Sequence, residues 1–221
     1  MIKQILIGLL LCTHMTGYAQ MVYHDASQFP LLGKAVQRTE MRYNRLPDSL
    51  KNISRSPLWN LSKNSAGMAI RFRSNSTRIA VKWENIFNNH MNHMTDVGTK
   101  GLDLYCWESN EQWRFVNSAR PTGKMNQAII ISNMQPKEKE YMLYLPLYDG
   151  LVSLSIGVDS SATINQPLID YPVRKKPVVF YGTSILQGGC ASRPGMAHTN
   201  IISRRLNREC INLGFSGNAL L

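Results

Sequence analysis

The candidate reactive residue of this 221-residue sequence is Ser184, in the segment Gly182-Thr-Ser-Ile185 that directly follows the apolar run Val178–Tyr181. A second glycine-containing segment, Ser216-Gly217-Asn218, comes shortly after the apolar run Ile211–Leu213. Open parallel sheets bind ligands at the carboxyl ends of their strands, so a reactive group is expected at these positions. A serine hydroxyl near backbone amides suits acyl transfer, which needs a nucleophile and donors for the tetrahedral oxyanion.

The segment that follows Tyr181 does not match three other glycine-loop motifs. A P-loop requires Gly-x4-Gly-Lys-Ser/Thr, and here the spacing differs and no lysine follows. A dinucleotide-binding turn requires Gly-x-Gly-x-x-Gly, which is absent. The α/β-hydrolase elbow requires Gly-x-Ser-x-Gly, and Leu186 occupies the position of its last glycine. A serine on a Gly-x-Ser turn remains.

A serine nucleophile needs a base, and the sequence offers few candidates beyond the N-terminal segment. The histidines are His24, His90, His93 and His198. His198 is expected at a helix start and facing away from the serine loop. His90 and His93 allow a soft-metal or copper site, but two imidazoles without a third ligand favour an ordinary loop. Cys190 is a rival nucleophile by residue type, and we expect it to be a buried, small apolar residue.

The elements that must position Ser184 differ between the two parts of the chain. Residues 21–66 show little periodicity, and short runs rich in β-branched and aromatic residues then recur at even spacing, which predicts an antiparallel β-sandwich or jelly roll over residues 20–170. The runs are Met68–Phe72, Arg78–Trp83, Leu102–Tyr105, Trp113–Val116, Gln127–Ile131, Tyr141–Leu145 and Leu151–Ile156.

A boundary is predicted at residues 166–177, and residues 171–221 then predict the beginning of an α/β domain. Val178–Tyr181 is typical of a parallel strand buried on both faces. His198–Arg208 predicts a helix with Ile201, Ile202 and Leu206 on one face, and Ile211–Leu213 predicts a second parallel strand.

The first 19 residues have the pattern of a secretory signal peptide: Lys3, an apolar run from Ile5 to Cys12, and small residues at Gly17 and Ala19. The run is about half the ~20 residues needed to cross a bilayer, so we expect export to the periplasm, cell surface or medium, without a membrane span. Three cysteines then remain, at 106, 190 and 210, so at least one thiol is expected to be free.

The chain is basic, with a formal net charge of +11, or +10 once residues 1–19 are removed. Its positive residues are scattered rather than interleaved with stacking aromatics: Arg71, Arg73 and Arg78 alternate along one predicted strand region, and Arg174–Lys176 lie in the predicted linker. This distribution favours solvated faces and argues against a nucleic-acid partner.

Two motifs together resemble the SGNH (GDSL-type) hydrolase family. Gly182-Thr-Ser-Ile185 is similar to its first block, with threonine replacing aspartate, and Asn212–Asn218 is similar to its second. Gly101-Leu-Asp103-Leu-Tyr105 is similar to the Gly-x-Asp-Leu-Tyr motif of a β-rich domain that precedes such hydrolases. The resemblance implies a flavodoxin-like parallel sheet, Ser184 as nucleophile and oxyanion-hole amide, and Gly217 as a second amide. It also implies hydrolysis of an ester, such as an acetyl or similar acyl group on a carbohydrate, without metal or cofactor.

The family's Gly-x-Asn-Asp block and its late Asp-x-x-His, which supply the third donor and the base, do not occur in these 221 residues. The chain therefore resembles a fragment that ends after the second block, and we expect it to be inactive and poorly soluble alone.

The alternative is a non-catalytic carbohydrate-binding β-sandwich with a vestigial α/β stub, in which Trp83, Trp107 and Trp113 stack on sugar rings or pack in the core. Without the resemblance, Asp103 would be expected to be a turn or strand-edge residue rather than a catalytic one.

Overall fold

The computed structural model describes residues 20–108, 110 and 112–219. The predicted signal peptide, residues 1–19, lies outside them. The strands of the β-rich unit (residues 21–165) are β1 (Met21–Asp25), β2 (Leu31–Leu32), β3 (Ala69–Ser74), β4 (Ile79–Asn85), β5 (Leu102–Trp107), β6 (Trp113–Ala119), β7 (Met125–Ile131), β8 (Lys139–Tyr144), β9 (Leu151–Asp159) and β10 (Ile164–Asn165). Its helices are α1 (Ser56–Ser62) and α2 (Asp96–Lys100), with 3₁₀ turns at Ala26–Gln28 and Asp48–Leu50.

These strands form two antiparallel sheets around one core. The first sheet has the order β1-β9-β4-β7, and the second has the order β10-β3-β8-β5-β6, with β2 also paired to β3. Alternate residues of both sheets, such as Phe72 and Leu143 from one and Val81 and Ile156 from the other, are buried in the shared core. Alternation of apolar and polar residues is what strands buried on one face require. All seven predicted strands are confirmed.

The prediction that residues 21–66 are irregular is wrong for β1, for the two-residue strand β2 and for α1. Residues 21–25 form β1, an edge strand that pairs with β9 with Met21 opposite Asp159. Residues 56–62 form α1, and Pro57 stands in its first turn, where the missing N–H of proline leaves no intrahelical hydrogen bond unmade.

The α/β portion (residues 174–219) contains two parallel strands, β11 (Arg174–Gly182) and β12 (Arg208–Gly214). The short helix α3 (Ser184–Gln187), a 3₁₀ turn at Pro194–Met196 and the helix α4 (His198–Leu206) connect them. The predicted strand–helix–strand order is confirmed, and β11 begins inside the predicted linker.

The expectation that Val178–Tyr181 is buried on both faces is wrong. Val179 is 57% exposed and Tyr181 is 49% exposed. Within the described residues β11 pairs only with β12, so one edge and one face of β11 lack covering elements. Leu206, predicted on the apolar face of α4, is also exposed.

Arg71 corrects the expectation that the arginines of this region lie on solvated faces. Its guanidinium is buried, donates to Glu140 Oε2 at 2.8 Å and to the Tyr171 carbonyl at 2.6 Å, and lies over the Trp113 ring at 5.4 Å.

In the described part of the chain, no helix is long and apolar enough to cross a membrane. The thiols of Cys106, Cys190 and Cys210 are all free.

Candidate active site

Ser184 is the first residue of α3, directly after the end of β11. Thr183 occupies the cap position without a side-chain capping bond, so Ser184 is not a helix-capping serine. The carbonyl of Ser184 accepts hydrogen bonds from the Gly189 amide at 2.8 Å and from the Tyr148 hydroxyl at 2.9 Å. Among the described residues, neither its hydroxyl nor its amide, which belongs to the unpaired first turn of the helix, has a hydrogen-bond partner.

Gly217 lies in the exposed turn that follows β12. Its φ of +66° is in the left-handed region, which glycine adopts without the strain that a Cβ would bring. No described group accepts a hydrogen bond from its amide. Gly182 and Gly214 are directly opposite each other in the parallel pair, and the Phe215 amide donates to the Gly182 carbonyl at 2.8 Å. The two motif segments therefore begin side by side, at the carboxyl ends of β11 and β12.

Gln187, the last residue of α3, joins the serine segment to the Gly217 turn. Its side chain is fully buried, with Oε1 accepting from the Ser216 amide at 2.9 Å and Nε2 donating to the Leu147 carbonyl at 3.0 Å. The close approach of β12 to α3 depends on Gly214, because a Cβ at that position would lie 2.2 Å from the backbone nitrogen of Gln187.

Asn212, on β12, links this strand to the helices α3 and α4. Its Nδ2 donates to the Leu186 carbonyl at 2.8 Å and to Thr199 Oγ1 at 3.1 Å, and its Oδ1 accepts from the Gly214 amide at 2.9 Å. Buried amides that are fully paired in this way fix the loop geometry around them.

Arg45 supports the end of β12 from the β-rich unit. It is 2% exposed, and its Nη1 donates to the carbonyls of Asn212 at 3.2 Å and Gly214 at 2.6 Å, while Nη2 donates to Leu61 at 2.7 Å. Its guanidinium also lies 4.6 Å from the centre of the Phe215 ring. Burial lowers the pKa of Arg45 to about 9, because charge is disfavoured away from water.

Asp103, in the Gly-x-Asp-Leu-Tyr motif, joins the two parts of the chain at a different point. It lies on β5 between β8 and β6, so the alternative expectation of a turn or strand edge is wrong. The fully buried carboxylate accepts from Arg193 Nη1 at 2.9 Å, the Gly195 amide at 2.8 Å and the Ser118 hydroxyl at 2.6 Å. Arg193 also donates to the Tyr105 hydroxyl at 2.7 Å. Two side chains of the motif thus hold the segment between α3 and α4.

The candidate bases are dispersed. His198 begins α4 as predicted, and its ring packs edge-on against Phe180 with centroids 6.3 Å apart. Burial lowers the pKa of His198. No hydrogen bond joins it to Ser184 in the described part of the chain. His24 lies on β1, opposite Ile156.

The expectation that Cys190 is buried is wrong, because Cys190 is exposed. It follows the glycine pair at the end of α3 and has a φ of +64°.

His90 and His93 belong to the loop between β4 and α2 and have different partners. His90 Nδ1 lies 2.7 Å from Asp96 Oδ1, and His93 Nδ1 lies 2.8 Å from Asn92 Oδ1. Within the described residues, no group of three His, Cys, Asp or Glu side chains is arranged to hold a metal ion. The geometry favours the loop interpretation over a copper site.

The three tryptophans proposed for sugar stacking are unequal in exposure. Trp83 is buried in the shared core, where its indole nitrogen donates to the Lys100 carbonyl at 3.1 Å. Trp113 is also buried, against Trp107 and Tyr171. Trp107 is half-buried, so it is the most exposed of the three. Core packing therefore accounts for Trp83 and Trp113.

A cleft of about 440 Å³ lies beside the Gly217 turn. It is lined by Pro57 and Leu61 of α1, by Asn89, His90 and Met91 of the β4–α2 loop, and by Tyr148, Ser216 and Asn218. The second motif segment lines the cleft directly, and Tyr148, whose hydroxyl donates to the Ser184 carbonyl, connects the cleft to the serine segment. Burial raises the pKa of Tyr148.

The chain matches two family descriptions, which cover consecutive parts of it. Residues 21–164 match the N-terminus of SGNH-hydrolase-type esterases, named for its Gly-x-Asp-Leu-Tyr motif, and residues 175–221 match the GDSL-like lipase/acylhydrolase family. The first match alone covers more than half of the chain. This chain belongs to the SGNH-type esterases.

Solved structures agree with this SGNH-type assignment. A Bacteroides ovatus protein described as a GDSL-like lipase is 40% identical, with a TM-score of 0.85 over 90% of this chain. This chain spans 58% of the length of that protein. The salicylyl-acyltransferase SsfX3 of a tetracycline biosynthetic pathway shares the fold, with 14% identity and a TM-score of 0.66 over 92% of this chain and 56% of its own. No curated protein matches the chain.

Sequence reasoning identified the two motif segments but missed the residues that connect them. Gln187 and Asn212 lie inside or beside the motifs, and a polar residue within an otherwise apolar strand was a usable signal for Asn212. Arg45 and Tyr148 are more than 30 residues from Ser184, and nothing in their local pattern indicates the contact.

Proposed function

We propose that this SGNH-type esterase chain carries the nucleophile and part of the oxyanion hole of a serine ester hydrolase. Ser184 Oγ attacks the ester carbonyl, and the amides of Ser184 and Gly217 donate to the oxyanion. The alcohol leaves with the proton taken from Ser184, and water then hydrolyses the acyl-serine.

The observation that carries this proposal is the pairing of Gly182 with Gly214, which sets both motif segments at the carboxyl edge of one parallel pair. The amides of Ser184 and Gly217 have no acceptor within the described part of the chain, which supports the same roles because an oxyanion hole must present free N–H groups. Each donor of this kind contributes about 100- to 1000-fold in rate.

We further propose that the substrate is a carbohydrate carrying acetyl or similar acyl groups outside the cytoplasm and that the complete hydrolase domain is flavodoxin-like. The base and the third oxyanion donor are not among the motifs of residues 1–221, so we expect these residues alone not to turn over. None of the candidate histidines supports a different conclusion, because none is hydrogen-bonded to Ser184 among the described residues.

The test measures p-nitrophenyl acetate hydrolysis by the full-length gene product, by residues 20–221 and by Ser184→Ala variants of both. We expect turnover by the full-length protein, a fall of at least about 1000-fold on Ser184→Ala, and no turnover by residues 20–221. The matched control is Ser192→Ala, an exposed serine beyond α3, which should leave the rate unchanged.

Full-length turnover that survives Ser184→Ala would refute the nucleophile, and absence of turnover by the full-length protein would refute the ester hydrolase. Serine-dependent turnover by residues 20–221 would instead show that a base lies within these residues.

A further inference from the structure

Most of the residues that line the cleft beside the Gly217 turn belong to the β-rich unit. Of its lining residues, only Ser216 and Asn218 belong to the α/β portion. Tyr148 lines the cleft and its hydroxyl lies 2.9 Å from the Ser184 carbonyl oxygen, so this one side chain connects the cleft to the proposed nucleophile segment.

The cleft is too large for an acyl group of the acetyl type alone. Its volume of about 440 Å³ falls in the usual range of small-molecule sites. An acetyl group has three non-hydrogen atoms and fills only a small part of it. The larger occupant of an ester-hydrolase site of this kind is the alcohol half of the ester.

The loop that lines one side of the cleft is held in place by buried groups. Asp149 is fully buried, and its carboxylate accepts from the amides of Phe87 at 3.0 Å and Asn89 at 2.8 Å. Asn89 Nδ2 donates to the Tyr148 carbonyl at 2.8 Å, and Asn88 Oδ1 accepts from Lys100 Nζ at 2.9 Å. A loop fixed in this way loses little conformational freedom when a ligand binds.

His90, at the cleft end of this loop, has one ring nitrogen committed and one available. The carboxylate of Asp96, 2.7 Å from Nδ1, acts as acceptor and so fixes the proton on Nδ1 of the neutral ring. Nε2 is then a hydrogen-bond acceptor, and the side chain is 73% exposed while lining the cleft. An acceptor of this kind suits a hydroxyl donor.

From these contacts we propose that the Asn89–Met91 segment forms the binding site for the alcohol half of the ester, with His90 Nε2 accepting a hydrogen bond from a hydroxyl of that alcohol. This proposal rests on the proposed function and deepens it. The substrate class is an ester of a polyhydroxy alcohol, such as a sugar, and His90 is a specificity residue rather than the base. The apolar side chains of Pro57, Leu61 and Met91 would contact the carbon face of the ring.

The experiment uses the full-length gene product and two acetate esters that differ in the alcohol. Monoacetylated methyl β-xyloside offers free hydroxyls, and p-nitrophenyl acetate offers none. We expect His90→Ala to raise KM for the sugar ester roughly tenfold, the effect of one lost hydrogen bond, with kcat within about twofold. The kcat/KM for p-nitrophenyl acetate should stay within about twofold.

The matched control is His93→Ala, which removes an exposed imidazole three residues away that does not line the cleft. It should leave both substrates within about twofold. His90→Gln, which retains a side-chain oxygen acceptor, should recover part of the loss. Asp96→Ala, which releases Nδ1, should raise KM for the sugar ester less than His90→Ala.

The outcomes separate this inference from the proposed function. Loss of both activities in Ser184→Ala with no change of KM in His90→Ala would overturn the alcohol site and leave the ester hydrolase intact. Equal losses on both esters in His90→Ala would also overturn it, because they would indicate a part in the chemistry or the fold. Activity that survives Ser184→Ala would refute the proposed function itself.

Discussion

The β-rich unit and the α/β portion bury their apolar side chains to very different degrees. In the β-rich unit, Leu104, Leu143 and Ile156 are completely buried between the two sheets. In the α/β portion, Val179, Tyr181 and Leu206 are largely exposed. The first unit therefore has a core of its own, whereas the described α/β portion depends on contacts with the first unit to fix its geometry.

Those contacts combine buried polar groups with an apolar cluster in which Leu147 and Tyr148 pack against Ala197. Asp103 holds Arg193 and Gly195, Arg45 holds the end of β12, and Leu147 accepts from Gln187. Polar contacts of this kind are directional, so they set the positions of the segments that carry Ser184 and Gly217 more closely than apolar packing alone would.

The largest effect should come from removing apolar volume in one region but not in the other. Leu143→Ala should reduce the free energy of unfolding by about 2 to 5 kcal/mol, because it leaves a cavity in a packed core. Val179→Ala should change it by less than about 1 kcal/mol, because that side chain is exposed on β11. Urea unfolding of the three proteins measures both, and similar losses would break the comparison.

The next effect concerns the contact between the two parts. Asp103→Asn should lower the free energy of unfolding by about 2 to 3 kcal/mol. Breaking a fully buried ion pair typically costs about 3 to 5 kcal/mol, and we expect less here because the Arg193 side chain is 22% exposed. A double-mutant cycle with Arg193→Met should give a coupling of about 1 to 3 kcal/mol.

The control for this cycle is Glu40→Gln, which removes the exposed Lys51–Glu40 pair, whose atoms are 3.4 Å apart. It should change stability by at most about 1 kcal/mol. A coupling near zero between Asp103 and Arg193 would mean that the Gly-x-Asp-Leu-Tyr motif does not join the two parts through this pair.

The smallest effect is a pH dependence carried by the β-rich unit. Burial raises the pKa of Tyr43 to about 12, whereas an unfolded tyrosine titrates near 10. The folded state therefore keeps the proton longer, and its stability falls as the pH rises above about 10. Tyr43→Phe should reduce that fall by about 1 kcal/mol between pH 10 and 11, measured by urea unfolding.

The contribution of Lys34 to stability changes with pH in the opposite direction to that of Tyr43, and its pH range overlaps the lower end of the range used for Tyr43. Burial lowers its pKa to about 8, so its contribution to stability increases with pH between about 8 and its unfolded value of about 10.5. Lys34→Met in the Tyr43→Phe background separates the two. An unchanged pH profile in Tyr43→Phe would show that the Tyr43 hydroxyl is not the titrating group.

The runs of β-branched and aromatic residues were sufficient to locate the seven main strands. Strand β7 alternates between buried and more exposed residues, whereas β3, β5 and β8 are buried along most of their length. The same reasoning failed for Val178–Tyr181, since a continuous apolar run predicts burial on both faces but does not say which elements provide it. α1 was missed although Ser56-Pro57 was a usable start signal.

The site was predictable only where chemistry and local sequence coincide. The segments around Ser184 and Gly217 follow strands and contain glycine, so their positions could be read from the sequence. Tyr148, Gln187 and the cleft at His90 depend on how the chain folds back on itself, and contacts between distant segments leave no local pattern.

Arg45 has a consequence for engineering. Its guanidinium belongs to the N-terminal segment, yet three backbone carbonyls, two of them on β12, depend on it for hydrogen bonds in a region closed to water. A chimera that joined residues 171–221 to an unrelated β domain would leave the Asn212 and Gly214 carbonyls without this donor, at a cost in stability wherever the new domain shielded them from water. Exchange of catalytic modules between relatives therefore requires transplanting an arginine together with its recipient strand, and choosing a suitable linker is not enough.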